Sequence, residues 1–172
     1  MSTYALRLEL IKIHRQNVGK VEETKNRAPW IAPLWDATSY KNGMANREPY
    51  CAAGMAWGLR EWLKLPEVLA ALKMTPEQAE KWRCKSAGAF AWGHWAREKG
   101  LPFIKRLGNF HTGDIVIYSH SHVEIYVDDI GSGPAFTAIG YNTGSAGERD
   151  GEGCFEKPRN RTKILEVFRI LP

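Results

Sequence analysis

The sequence has few cysteines and no long apolar run. Three cysteines among 172 residues are too few, and too odd in number, for a disulfide framework, so we expect free thiols in a reducing compartment. The short apolar runs exclude a membrane-spanning helix, so we expect no membrane insertion. Charged residues interrupt the first apolar stretch, which does not resemble a Sec signal peptide. We therefore expect synthesis in the cytoplasm.

The composition is that of a globular protein, and residues 1–172 have the length of one domain. Lys and Arg exceed Asp and Glu by 24 to 19, a net charge of +5 that suits a polyanionic partner such as nucleic acid or an anionic cell wall. No zinc-finger spacing, RNA-binding motif or basic helix accompanies this charge, so we expect no nucleic-acid partner. The densest basic cluster, residues 157–163 (KPRNRTK), is interpreted as a solvated loop.

Hydrophobic periodicity places helices first and strands last, which predicts an α+β fold with N-terminal helices packed on a C-terminal antiparallel sheet. Residues 19–50 lack clear periodicity and are interpreted as a long structured loop. The expected helices cover residues 3–16, 50–65 and 86–99, with another that begins at Thr75-Pro76. The expected strands cover residues 114–118, 122–127, 136–141 and 164–170.

Three residues form a candidate catalytic set. Cys51 lies at an expected helix start, where the helix dipole favours a thiolate. His122 opens an expected strand and is a candidate general base, with His120 as a rival two residues earlier. Asn142 follows the next strand and is a candidate to orient the histidine. Cysteine, histidine and a polar residue in this order are typical of papain-like enzymes.

Structural and metal-binding alternatives exist for the same residues. In the structural alternative, Cys51 is a buried structural cysteine, His122 is a surface hairpin histidine and Asn142 is a turn residue. His120 and His122 with a cysteine form a conceivable zinc site, but no Cys-x-x-Cys or His-Glu-x-x-His context accompanies them. We therefore expect no metal and no cofactor. Cys84 and Cys154 receive no role.

Four short motifs follow one another along the chain: Pro49-Tyr50-Cys51-Ala52-Ala53, Gly113-Asp114-Ile115-Val116-Ile117-Tyr118, His122-Val123-Glu124-Ile125-Tyr126-Val127 and Thr137-Ala138-Ile139-Gly140-Tyr141-Asn142-Thr143. They resemble the cysteine, histidine-dependent amidohydrolase/peptidase (CHAP) family of papain-like cell-wall hydrolases. Gly19-x-x-Glu22 and Asn26-Arg27 also resemble the start of phage-borne members. The similarity extends over nearly the whole chain, and the order and spacing of the motifs carry it.

The resemblance implies Cys51 as nucleophile, His122 as general base and Asn142 as the residue that orients it. Two positions depart from the family pattern. Gly140 stands where many members have a glutamate, so an acidic orienting residue is expected to be missing. Glu124 replaces a small residue on the same strand face as His122, where it either perturbs the histidine or faces solvent.

The tetrahedral intermediate of such a reaction needs oxyanion donors. The backbone N–H of Cys51 is the first, and Asn46 and Tyr50 are candidates for the second. Trp30 and Trp35 precede Cys51 in the long loop and are candidates to line a substrate groove.

The substrate that the resemblance implies is bacterial peptidoglycan, cut by an amidase or endopeptidase. A phage or prophage lysin, made without a signal peptide and acting on the wall after release, fits this pattern. An interbacterial amidase toxin and a non-catalytic cell-wall-binding module on the same fold are the alternatives. We expect a monomer.

Overall fold

The computed structural model describes residues 1–144 and 151–171. Its helices precede its strands along the chain, as expected. The helices are α1 (Thr3–Arg15), α2 (Ala32–Asp36), α3 (Cys51–Trp62), α4 (Pro66–Leu72), α5 (Pro76–Trp82) and α6 (Ala89–Glu98), with short 3-10 helices at Pro29–Ile31 and Arg161–Lys163. The strands are β1 (Ile115–Tyr118), β2 (His122–Asp129), β3 (Ala135–Thr143), β4 (Gly153–Asn160) and β5 (Ile164–Phe168).

The strands form one antiparallel sheet in the order β4-β3-β2-β1-β5. Successive side chains of a strand point to opposite faces, and both faces of this sheet are covered by apolar residues. Ile117 and Val123 belong to the main core shared with the helices, whereas Val116 and Phe136 belong to a smaller cluster on the other face. The α+β prediction is confirmed.

Close packing fixes α3 against the rest of the molecule. A Cβ built on Gly54 would lie 2.2 Å from the ring of Tyr141 on β3, and one on Gly58 would lie 2.1 Å from the ring of His14 on α1. Both distances are shorter than any Cβ contact, so only glycine allows these approaches. The start of α3 is thereby held against the end of the sheet.

The expectation for the basic cluster at residues 157–163 is wrong. Its first half belongs to β4, which forms the edge of the sheet beside β3. An edge strand tolerates Pro158, because one side of its backbone needs no partner. Arg159 and Arg161 are only 12% and 9% exposed in their side chains, and each is paired with a carboxylate. The cluster therefore includes structural ion pairs.

A second difference concerns Pro66, the residue directly after the expected helix at residues 50–65, since no helix was expected to begin there. It is instead the first residue of α4, the position where a missing N–H costs nothing.

No helix in the described part of the chain has the length and apolar content needed to cross a membrane.

Candidate active site

Cys51 is the first residue of α3, directly after the buried Tyr50. The first N–H groups of a helix have no partner within it, and they give its N-terminus a partial positive charge. The backbone N–H groups of Ala52 and Val123 also favour the anionic form of the Cys51 sulfur. The start of the helix thus provides a site for a thiolate.

His122 begins β2 and is 3% exposed. Its ring nitrogen Nε2 lies 3.1 Å from Oε1 of Glu124, two residues along the same strand. Residues two apart in a strand point to the same face of the sheet, so the Glu124 side chain reaches the His122 ring. The other ring nitrogen, Nδ1, is buried and has no hydrogen-bond partner among the described residues, which leaves it for the Cys51 thiol.

Glu124 is fully buried, and cationic and hydroxyl donors surround its carboxylate. The Tyr118 hydroxyl donates to Oε2 over 2.8 Å, and Arg159 Nε donates to the same oxygen over 2.8 Å. Arg159 also donates to the hydroxyl of Thr143 over 3.0 Å. A buried carboxylate is stable only when it is paired in this way. Glu124 is therefore ionised, and its pKa lies well below the usual range despite burial.

The pKa values of the cysteine and histidine move in opposite directions. Burial alone would raise the pKa of Cys51, but its hydrogen-bonding and charge interactions with His122 outweigh burial and lower it. Burial alone would lower the pKa of His122, but the interactions with Cys51 and Glu124 raise it to about 9. Both shifts favour a thiolate–imidazolium pair over a neutral thiol and imidazole.

A cleft of about 190 Å³ lies beside the Cys51 sulfur. Trp35 and Tyr40 line it, and Trp35 is 1% exposed and packs edge-on against the Tyr40 ring. The amide nitrogen of Asn46 donates to the Tyr40 hydroxyl over 2.6 Å. Since that hydroxyl oxygen accepts a hydrogen bond, its own hydrogen is left for another acceptor.

Two further residues predicted for the site, Trp30 and Tyr50, contact each other. Trp30 packs edge-on against the ring of Tyr50, and its indole N–H donates to the carbonyl of Val21 over 2.8 Å. Tyr50 is fully buried, and burial together with the nearby Glu22 carboxylate raises the pKa of its hydroxyl. Trp30 and Tyr50 thus support the segment before α3, and the substrate role of Trp30 and the oxyanion role of Tyr50 stay predictions.

Asn142 lies near the end of β3, is 1% exposed and has a positive φ of 52°. This left-handed conformation is one that asparagine tolerates better than most residues. The carboxylate of Glu124 takes the hydrogen bond at Nε2 of His122. The role of Asn142 in orienting the histidine therefore stays a prediction.

The expectation that no acidic residue orients the histidine is wrong. Glu124 contacts the His122 ring from β2. It is buried, so it does not face solvent, which was the other alternative for this residue. His120, the rival base, lies in the turn between β1 and β2 with its ring stacked parallel to that of His122 at 5.9 Å.

Sequence reasoning missed Arg159 and Tyr40 as parts of the site. Arg159 lies in the strand that was taken for a loop, and it reaches past β3 to the buried Glu124 on β2, which requires a cation. Tyr40 lies in a segment without periodicity, and no pattern in the sequence places it near Cys51.

The other two cysteines have environments unlike that of Cys51. Both are buried, and burial raises the pKa of Cys84 to about 11 and that of Cys154 further. Within the described residues, no group of three or more His, Cys, Asp or Glu side chains is arranged to hold a metal ion.

Comparisons of the chain with protein-family models, curated proteins and solved structures found no match. The functional assignment therefore depends on the residues and their geometry.

Proposed function

We propose that the protein is a cysteine-dependent amidohydrolase that cleaves peptidoglycan. The observation that carries the chemistry is the buried arrangement of Cys51, His122 and Glu124, in which a carboxylate on Nε2 holds the imidazole that faces the thiol. The choice of peptidoglycan depends on the resemblance to CHAP hydrolases, and the net positive charge suits an anionic wall. Action as a lysin after release into the cell-wall compartment belongs to the same proposal.

The first step forms a thioester. The Cys51 thiolate attacks the amide carbonyl carbon, and the C–N bond breaks as His122 gives its proton to the leaving amine nitrogen. The oxyanion accepts the backbone N–H of Cys51 at the start of α3. The Tyr40 hydroxyl, which lines the same cleft, is the second donor that best suits the site.

The second step releases the acid. His122, now neutral, accepts a proton from water, whose oxygen attacks the thioester carbonyl and displaces the Cys51 sulfur. Glu124 stabilises the imidazolium each time it forms and fixes the ring orientation. The sum of both steps is one amide and one water converted to one acid and one amine.

The test is digestion of purified peptidoglycan sacculi of several chemotypes, with products identified by mass spectrometry. We expect wild type to release fragments and Cys51→Ala to release none, while Cys84→Ala, which alters a buried cysteine outside the cleft lining, keeps full activity. New amino termini distinguish an endopeptidase from an amidase. Binding of sacculi without any release would favour a wall-binding module and contradict the proposal.

A further inference from the structure

A cavity of about 690 Å³ has His122 in its lining, whereas Cys51 lines the separate cleft of about 190 Å³. Ser121 lines the smaller cleft and His122 lines the larger cavity, so the two spaces adjoin at these neighbouring residues. A substrate with its carbonyl carbon at Cys51 and its nitrogen at His122 would extend from one space into the other.

The proposed chemistry of Cys51 and His122 decides which half of the substrate lies beside the larger cavity. His122 protonates the nitrogen that leaves, so this nitrogen lies on the imidazole side of the carbonyl carbon. The part of the substrate attached to it continues away from Cys51. The larger cavity is therefore beside the amine half, the half that departs when the thioester forms.

The charged side chains that line the larger cavity are basic. Arg159 is already paired with Glu124, which neutralises its charge. Lys163 is exposed at the end of the 3-10 helix before β5 and lines the same cavity. Tyr118, Ala135 and Pro158 contribute its less polar wall.

We propose that the larger cavity binds the amine half of the substrate and that Lys163 pairs with a carboxylate on that half. A peptide carries such a group at its C-terminus or on an acidic side chain, and both present the same chemistry to the lysine. This inference rests on the proposed amide hydrolysis at Cys51. It adds a specificity residue on the departing side of the cut.

The test uses synthetic peptides built around the bond identified in the sacculus digest. One peptide has every carboxylate of the amine half free, a second has the C-terminal carboxylate amidated, and a third has the side-chain carboxylate amidated. We expect wild type to cleave the free peptide with a kcat/KM about five-fold higher than that of one amidated peptide. The peptide that loses rate identifies the source of the carboxylate.

Two variants assign the preference to the lysine. Lys163→Met removes the charge and keeps the aliphatic chain, so we expect the preference to disappear. Lys157→Met removes the same charge from the same basic cluster, at a position outside the cavity lining, and we expect it to keep the preference.

Failure of this inference and failure of the proposed function give different results. If wild type cleaves all three peptides equally, or if Lys163→Met keeps the preference, the carboxylate site is wrong while amide hydrolysis stands. If wild type cleaves neither peptides nor sacculi, both proposals fall.

Discussion

The Glu124 carboxylate occupies the space that a side chain at Gly140 would need. The two residues face each other across β2 and β3, and a Cβ on Gly140 would lie 2.2 Å from Oε1 of Glu124. The resemblance to CHAP hydrolases places a glutamate at position 140 and a small residue at position 124. In this chain the acid stands at position 124 and the small residue at position 140, and the carboxylate contacts the histidine.

We predict that Gly140→Ala lowers both activity and stability, because its methyl group displaces the carboxylate from His122. The expected loss of kcat/KM is about 10-fold or more. The matched control is Gly133→Ala, where an added Cβ meets no atom within 4 Å. Wild-type activity in Gly140→Ala would show that the contact between Glu124 and His122 is dispensable.

The facing positions of residues 124 and 140 also predict that a second substitution partly restores activity. Glu124→Gly alone removes the carboxylate and leaves Arg159 without its buried partner, so we expect activity to be lost. Adding Gly140→Glu returns a carboxylate from the facing strand, and we expect part of kcat to return. The comparison of the single and double variants in sacculus digestion measures this rescue, and a double variant no better than Glu124→Gly would contradict it.

Glu124→Gln removes the negative charge of the side chain and keeps its size, so it tests the charge alone. The amide keeps an acceptor for Nε2 of His122 but no longer stabilises the imidazolium, so kcat should fall about 10- to 100-fold. The loss of a buried partner for Arg159 should cost about 3 kcal/mol of unfolding free energy. Glu156→Gln, at a more exposed pair with Arg15, should cost less than about 1 kcal/mol and leave kcat unchanged.

The sequence predicted the elements that carry the dyad better than the network around it. A cysteine at a helix start and a histidine at a strand start depend on local patterns, namely small residues after Cys51 and β-branched residues after His122. The roles of Glu124 and Arg159 depend on strand pairing between distant segments, which no local pattern encodes. Pro158 and the surrounding charges also concealed β4, because an edge strand tolerates residues that indicate a loop.

His14 is predicted to make the fold acid-sensitive. It is fully buried on α1, its Nδ1 lies 3.0 Å from the Tyr141 hydroxyl, and burial lowers its pKa to about 3. The unfolded chain therefore binds a proton that the folded chain rejects as pH falls from about 6.5 towards 3. This difference should remove about 3 kcal/mol of stability between about pH 7 and pH 4.

The measurement is urea unfolding of wild type and His14→Gln at both pH values. The variant should be less stable at neutral pH, since it loses a fitted side chain, but its stability should fall less on acidification. An equal fall in both proteins would show that His14 does not contribute to the acid sensitivity.

The Tyr40 hydroxyl is predicted to stabilise the oxyanion. Tyr40→Phe removes only that hydroxyl, so kcat should fall about 10-fold with little change in KM, whereas Asn46→Ala, which removes the donor to that hydroxyl, should have a smaller effect. Steady-state kinetics on a cleaved synthetic peptide separate the two parameters. A change confined to KM would indicate substrate binding instead.

The central claim is that Cys51 is a thiolate paired with the His122 imidazolium. The most direct measurement is the rate of iodoacetamide alkylation of each cysteine as a function of pH, read by peptide mass mapping. Cys51 should react at neutral pH, and Cys84, whose pKa is raised to about 11, should not. In His122→Ala the reaction of Cys51 should shift to higher pH. Equal rates for Cys51 in wild type and His122→Ala, with an ordinary thiol profile in both, would contradict the account.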